Sequence, residues 1–123
     1  MSPRLQKRLL PFAVLALVGV SIATWAAGQP RSERTPTEQA HRLVAEGATL
    51  LDVRSPAEHA LRHLPGSRLI PVDELASRVD ELPRERPVVV YCASGRRSAH
   101  AAALLTARGF MVHDLGGMPP SWP

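Results

Sequence analysis

The sequence predicts an α/β domain in which helices cover both faces of a parallel sheet. Three observations carry that expectation. The short apolar runs at 48–53, 68–71, 87–91 and 110–115 are too brief for helices, and most are β-branched in part. They alternate with stretches whose apolar residues recur at helical spacing. Glycine or proline punctuates the junctions, as at Gly47, Pro65-Gly66, Pro83 and Gly109. Strand and helix in regular alternation are the pattern of a parallel sheet between helical layers.

The amino-terminal third does not belong to that pattern. Arg4, Lys7 and Arg8 precede an apolar stretch from Phe12 to Ala27, which closes on the small residues Ala26, Ala27 and Gly28. A positive flank, an apolar middle and a small-residue exit make an export signal, with cleavage expected after Ala26 or Gly28. A retained membrane anchor is the alternative, since counting from Leu9 brings the stretch close to the roughly 20 residues of a spanning helix. Both readings place the chain beyond Gln29 outside the cytoplasm, in the periplasm, because the positive flank stays inside. Residues 1–28 are thus read as signal or anchor, 29–34 as a polar linker, and 35–123 as the folded domain.

Within the domain, Thr35-Pro36-Thr37-Glu38 has the form of a capping box, and the helix it opens runs to about Glu46 before Gly47. Ala48 to Val53 follows as a buried strand ending in Asp52-Val53-Arg54. A second box, Ser55-Pro56-Ala57-Glu58, opens a short helix that Pro65-Gly66 must end. Arg68 to Pro71 is a short strand. Asp73 is placed to cap a helix whose Leu75, Val79 and Leu82 share one face. Pro87 to Tyr91 is the next strand, Ser98 to Arg108 the next helix, and Phe110 to Leu115 the last strand.

Charge excludes one class of partner. Lys and Arg total 15, but three lie in the amino-terminal flank, and the remaining 12 face 11 acidic residues. The domain is nearly neutral. Nucleic acid, which calls for a net basic face, is not an expected partner.

Cys92 is the only cysteine in the sequence, and it stands where Pro87-Val88-Val89-Val90-Tyr91 gives way to Ala93-Ser94-Gly95-Arg96-Arg97 and a helix. A lone cysteine is most often a small buried hydrophobe. Small and basic residues around this one argue instead for a nucleophile, because a helix N-terminus and two arginines favour the thiolate. Gly95 lets the loop curve so that several N–H groups face one point, a nest for an anion or a thiolate. In a parallel sheet, sites form at the carboxyl ends of strands, where Cys92 lies.

Four segments now bear a resemblance. Leu51-Asp52-Val53-Arg54 with Glu58, then His63-Leu64-Pro65-Gly66-Ser67, then Tyr91-Cys92-Ala93-Ser94-Gly95-Arg96-Arg97-Ser98, then Leu115-Gly116-Gly117-Met118 with Trp122 resemble, in that order, the single-domain rhodaneses. The likeness spans Thr35 to Trp122. It implies a rhodanese-like fold and a thiosulfate sulfurtransferase in which Cys92 is catalytic and carries a persulfide. The backbone N–H groups of Ala93, Ser94, Gly95, Arg96 and Arg97 would bind the transferred sulfur. Sulfur would pass from thiosulfate to a thiol or cyanide without metal or organic cofactor. Phosphatases of related fold use a C-x5-R loop, whereas Arg97 here gives C-x4-R and Ser98 holds the phosphatase arginine's position; phosphatase and arsenate reductase are disfavoured on that ground. A non-enzymatic module that docks a partner or carries persulfide is the alternative from another class, and the intact Cys92 loop favours the enzyme. Arg96 is expected to meet the substrate sulfonate while Arg97 begins the helix and braces the loop.

The remaining candidates take structural readings. Asp52 and Arg54 at a strand end are read as an ion pair rather than as catalytic groups. His59 and His63, four apart, could share a metal on one helical face, but no third ligand is evident in the sequence. His100 is expected to face solvent rather than serve Cys92 as a base. Met118 and Trp122 are read as edge packing or the rim of the site, and Tyr91 as a strand residue without a further role. The sequence departs from the rhodanese pattern at His59, where an aromatic residue is usual, and at Arg62, where glycine is usual.

Overall fold

The computed structural model describes residues 33–123. The signal or anchor expected at 1–28, and the linker as far as residue 32, lie outside the described residues. Helix α1 (Thr37–Ala45) is followed by strand β1 (Thr49–Asp52), α2 (Pro56–Leu61), β2 (Arg68–Leu69) and α3 (Val72–Arg78), which tightens into a 3-10 turn at Val79–Glu81. Then come β3 (Val88–Cys92), α4 (Arg96–Ala107) and β4 (Val112–Gly117). All strand pairs are parallel, in the order β2-β1-β3-β4.

Side-chain alternation along the central strands builds two cores. From β3, Val88, Val90 and Cys92 join Leu51 and Val53 on one face, against Leu75 of α3 and Ala101 and Leu105 of α4. Val89 and Tyr91 point the other way, with Leu50, onto Ala40 of α1, Leu64 and Leu115. Every residue of β3 is buried, as a strand covered on both faces requires. The sandwich expected from sequence is present, with Cys92 on the side that α4 covers.

Element ends differ from expectation for identifiable reasons. The box at Ser55 forms: its Oγ accepts the Glu58 N–H at 3.2 Å, and Glu58 Oε1 accepts the Ser55 N–H at 3.2 Å. The box at Thr35 does not. Thr35 instead donates its N–H to the Asp114 carbonyl at 2.7 Å, and Pro36 takes the cap position without a side-chain bond. Nor does Asp73 cap α3; Pro71 does, leaving Asp73 in the first turn, where its charge suits the helix dipole. Helix α4 starts at Arg96 rather than Ser98, because Gly95 adopts φ +98° and turns the chain into the helix earlier. Strand β4 begins at Val112, since the Phe110 N–H is taken by Leu105 O at the end of α4. It extends to Gly117, passing a bulge opposite Val90 and Tyr91 at which Asp114 Oδ1 accepts the Gly116 N–H at 2.9 Å.

Candidate active site

β1 and β3 pair Asp52 with Tyr91, so Cys92 is the next residue at the carboxyl edge. The Cys92 thiol is fully buried. Its Sγ accepts the N–H of Gly95 at 3.0 Å and the N–H of Ser98 at 3.3 Å, both from the start of α4. Burial alone would push the thiol's pKa up, but the Ser98 hydroxyl and the N–H groups of Ser98, Gly95 and Ser94 outweigh it and hold the pKa below that of an ordinary cysteine. The Ser98 hydroxyl also lies 3.2 Å from the Gly95 carbonyl. Its one proton serves either acceptor, so the N–H groups are the constant part of the cradle.

The two loop arginines take separate places. Arg97 forms a bidentate pair with Glu58, Nη1 to Oε1 at 2.7 Å and Nη2 to Oε2 at 3.0 Å, tying α4 to α2. Arg97 holds the Glu58 carboxyl down at a pKa of about 2, with help from Ser55 against partial desolvation. Arg96 is exposed and lines a cleft of about 380 Å³ with Val72, Ser94, Arg97 and His100. Ala93 and Ser94 are exposed at the loop tip, whereas Gly95 is buried. Close packing beneath the loop admits only glycine at 117, because a Cβ there would sit 2.7 Å from the Ala93 carbonyl oxygen.

Beside the cradle lies a closed polar network. Arg54 donates Nε to Asp52 Oδ1 at 3.0 Å and Nη2 to Asp52 Oδ2 at 2.8 Å, and its Nη2 reaches the Arg62 carbonyl at 2.6 Å. The pair is structural, as the strand-end position suggested. His59 Nδ1 is 2.9 Å from Asp52 Oδ2, so the departure at His59 adds a partner to that carboxylate. His63 Nδ1 meets the His59 carbonyl at 2.8 Å, and the two rings stack at 3.9 Å; both Nδ1 atoms are thereby engaged. Among the described residues no group of three metal-ligating side chains gathers.

Tyr91 has a role that its place in a valine run did not signal. Its hydroxyl accepts the Leu64 N–H at 3.1 Å and donates toward Asp52 Oδ2 at 3.2 Å, with Ser67 Oγ 3.0 Å away. It thus joins the loop after α2 to the floor of the site. Burial pushes the phenol's pKa up, so it stays neutral and able to donate. Glu58 was hidden by its own motif, because the Ser55 box accounts for it without α4. His100 is exposed on α4, as expected, and Met118 and Trp122 pack against the second core, where Trp122 meets His41 edge-on.

Comparison with known proteins decides the family. The rhodanese-like domain family matches residues 35–120. The chain belongs to the rhodanese family. The thiosulfate sulfurtransferase GlpE of Pseudomonas syringae is 38% identical over 91 residues, 73% of this chain and 86% of the relative. That of Pseudomonas fluorescens is 35% identical over 91 residues, 73% of this chain and 84% of the relative. Among solved structures, a rhodanese-related protein of Thermoplasma volcanium superposes with a TM-score of 0.64 at 32% identity, covering 73% of this chain and 90% of its own. The rhodanese-like fold and single-domain membership expected from the four segments therefore stand.

Proposed function

We propose that this rhodanese is a thiosulfate sulfurtransferase acting outside the cytoplasm, as a soluble periplasmic domain after signal cleavage or anchored to the inner membrane by its amino-terminal segment. One observation carries the chemistry: Cys92 Sγ lies at the N-terminus of α4 and accepts backbone N–H groups. A thiolate held by dipoles keeps its charge and its nucleophilicity. It attacks the outer sulfur of thiosulfate; the sulfur–sulfur bond breaks and sulfite leaves with the electron pair. The Cys92 persulfide formed places its terminal sulfur among the N–H groups of Ala93 to Arg97. Cyanide or an acceptor thiolate then takes that sulfur, and the bonding pair returns to Cys92, giving thiocyanate or an acceptor persulfide. Both halves balance without an external oxidant or reductant.

Arg96, which forms no salt bridge among the described residues, supplies the cation for the sulfonate, a charge-assisted contact. Arg97 is committed to Glu58, which together with the C-x4-R spacing argues against a phosphatase. The relatives named thiosulfate sulfurtransferase support the choice of donor. The test is a thiosulfate-to-cyanide assay on the purified protein, read with intact mass. Thiocyanate production together with a gain of about 32 Da on Cys92, one sulfur atom, is the expected result; a protein that yields neither refutes the proposal.

A further inference from the structure

Arg34 lies ahead of every helix and strand of the domain, yet its side chain crosses the outer face of the Cys92 loop. Its Nη2 donates to the Ser94 carbonyl at 3.2 Å. Two glycines make room for it. A Cβ on Gly95 would come within 2.8 Å of Arg34 Cζ, and one on Gly116 within 2.9 Å of Cδ and Nε. Both glycines also have positive φ, +98° and +83°. The next residue is pinned, with the Thr35 N–H on the Asp114 carbonyl at 2.7 Å, and the Asp114 carboxylate in turn holds the Gly116 N–H. Backbone and side chain of this short strap are thus fixed to β4 and to the loop together.

The peptide unit involved is the informative part. The carbonyl that Arg34 grips and the N–H that Gly95 gives to the Cys92 sulfur belong to one planar trans peptide, and so point in opposite directions. Holding the oxygen from outside aims the N–H inward. A cation on the oxygen also polarises the unit and strengthens the donor at its other end. We propose that Arg34 is a positioning residue for Cys92: it orients and polarises the Ser94–Gly95 peptide so that the Gly95 N–H stabilises the thiolate and persulfide. In its effect on turnover this rests on the proposed sulfur transfer.

The test uses the full-length protein with Arg34→Ala, Arg34→Met and Arg34→Lys. Methionine keeps apolar cover over Gly95 and Gly116, and lysine keeps the charge and a donor. Arg96, Arg97 and His100 on α4, Glu58 on α2, Asp52 on β1 and Asp114 on β4 are unchanged across the series, so differences report Arg34. The alanine and methionine variants are expected to lose about three- to tenfold in kcat, the scale of one net hydrogen bond, with thiosulfate KM unchanged. Their pH profile of Cys92 alkylation should move upward, and lysine should restore both readings toward the parent. Parental kcat and alkylation profile in the alanine or methionine variant overturns the proposal, as does a lysine variant that falls as far as they do. The alkylation profile needs no sulfur transfer, so a parent inactive on thiosulfate refutes the proposed function while Arg34 is still judged.

Discussion

β1 and β3 lie side by side and end at the same edge of the sheet, yet the anionic groups they present there are treated in opposite ways. Asp52, at the end of β1, is neutralised by the Arg54 guanidinium and further bonded by His59 and Tyr91. Cys92, at the end of β3, is met by backbone N–H groups of α4. An anion matched by a buried counter-charge is fixed in place and loses its basicity to the pair. One matched by dipoles stays an anion in search of an electrophile. Two neighbouring strand ends thereby separate holding the fold from the chemistry proposed for the site.

The widest break in that contrast comes from removing the sulfur. Cys92→Ser is expected to abolish both persulfide formation and turnover while changing stability by no more than about 1 kcal/mol, since the hydroxyl keeps the two N–H donors. Intact mass after thiosulfate, with urea unfolding as the control, checks both halves. Neutralising the other anion should do the reverse. Asp52→Asn strands the Arg54 charge in a buried site and is expected to cost about 3 to 5 kcal/mol of stability at neutral pH. Burial raises the Asp52 pKa, but Arg54 and His59 bring it below the ordinary value. A lowered folded pKa means stability that is present above the unfolded value and lost as pH falls through the folded one. The gap between parent and variant should therefore narrow below about pH 4, which urea unfolding at both pH values measures.

Two finer predictions sharpen the comparison within the loop. Arg96→Ala is expected to raise the thiosulfate KM about tenfold, the loss of one charged hydrogen bond. Arg97→Ala should instead lower kcat and the melting temperature, because it frees Glu58 and unties α4 from α2. Equal KM effects from the two substitutions would erase the division between contact and brace. The smallest effect is on titration. Parent Cys92 should be alkylated by iodoacetamide with an inflection below the roughly 8.5 of a free thiol, and removing both arginines should move it upward. An ordinary thiol profile in the parent would mean that the loop does not stabilise an anion.

What could be read from the sequence was what is local. The alternation of runs gave the sandwich, Ser55-Pro56-Ala57-Glu58 gave a true cap, and a valine run ending in Cys92 before Gly95 located the loop whose N–H groups meet the thiol. What escaped is non-local. The Thr35 box failed because Asp114, on the last strand and distant in sequence, competes for the Thr35 backbone. Arg97 with Glu58, Tyr91 with Asp52 and Arg34 with Ser94 join segments 39, 39 and 60 residues apart. No periodicity relates such positions; only the strand order β2-β1-β3-β4 brings them together.

The close packing of Gly117 on Ala93, and the Met118 N–H on the Cys92 carbonyl at 2.8 Å, also tie the last strand to the loop that carries Cys92. Parallel neighbours must be brought back by a crossover before they pair, and such contacts form late. β4 follows β3 and α4 in the chain and packs beneath the Cys92 loop. The Cys92 loop thus takes its inward N–H groups from the helix that follows it and its backing from the last strand, so losing β4 would remove the backing while leaving the donors in place.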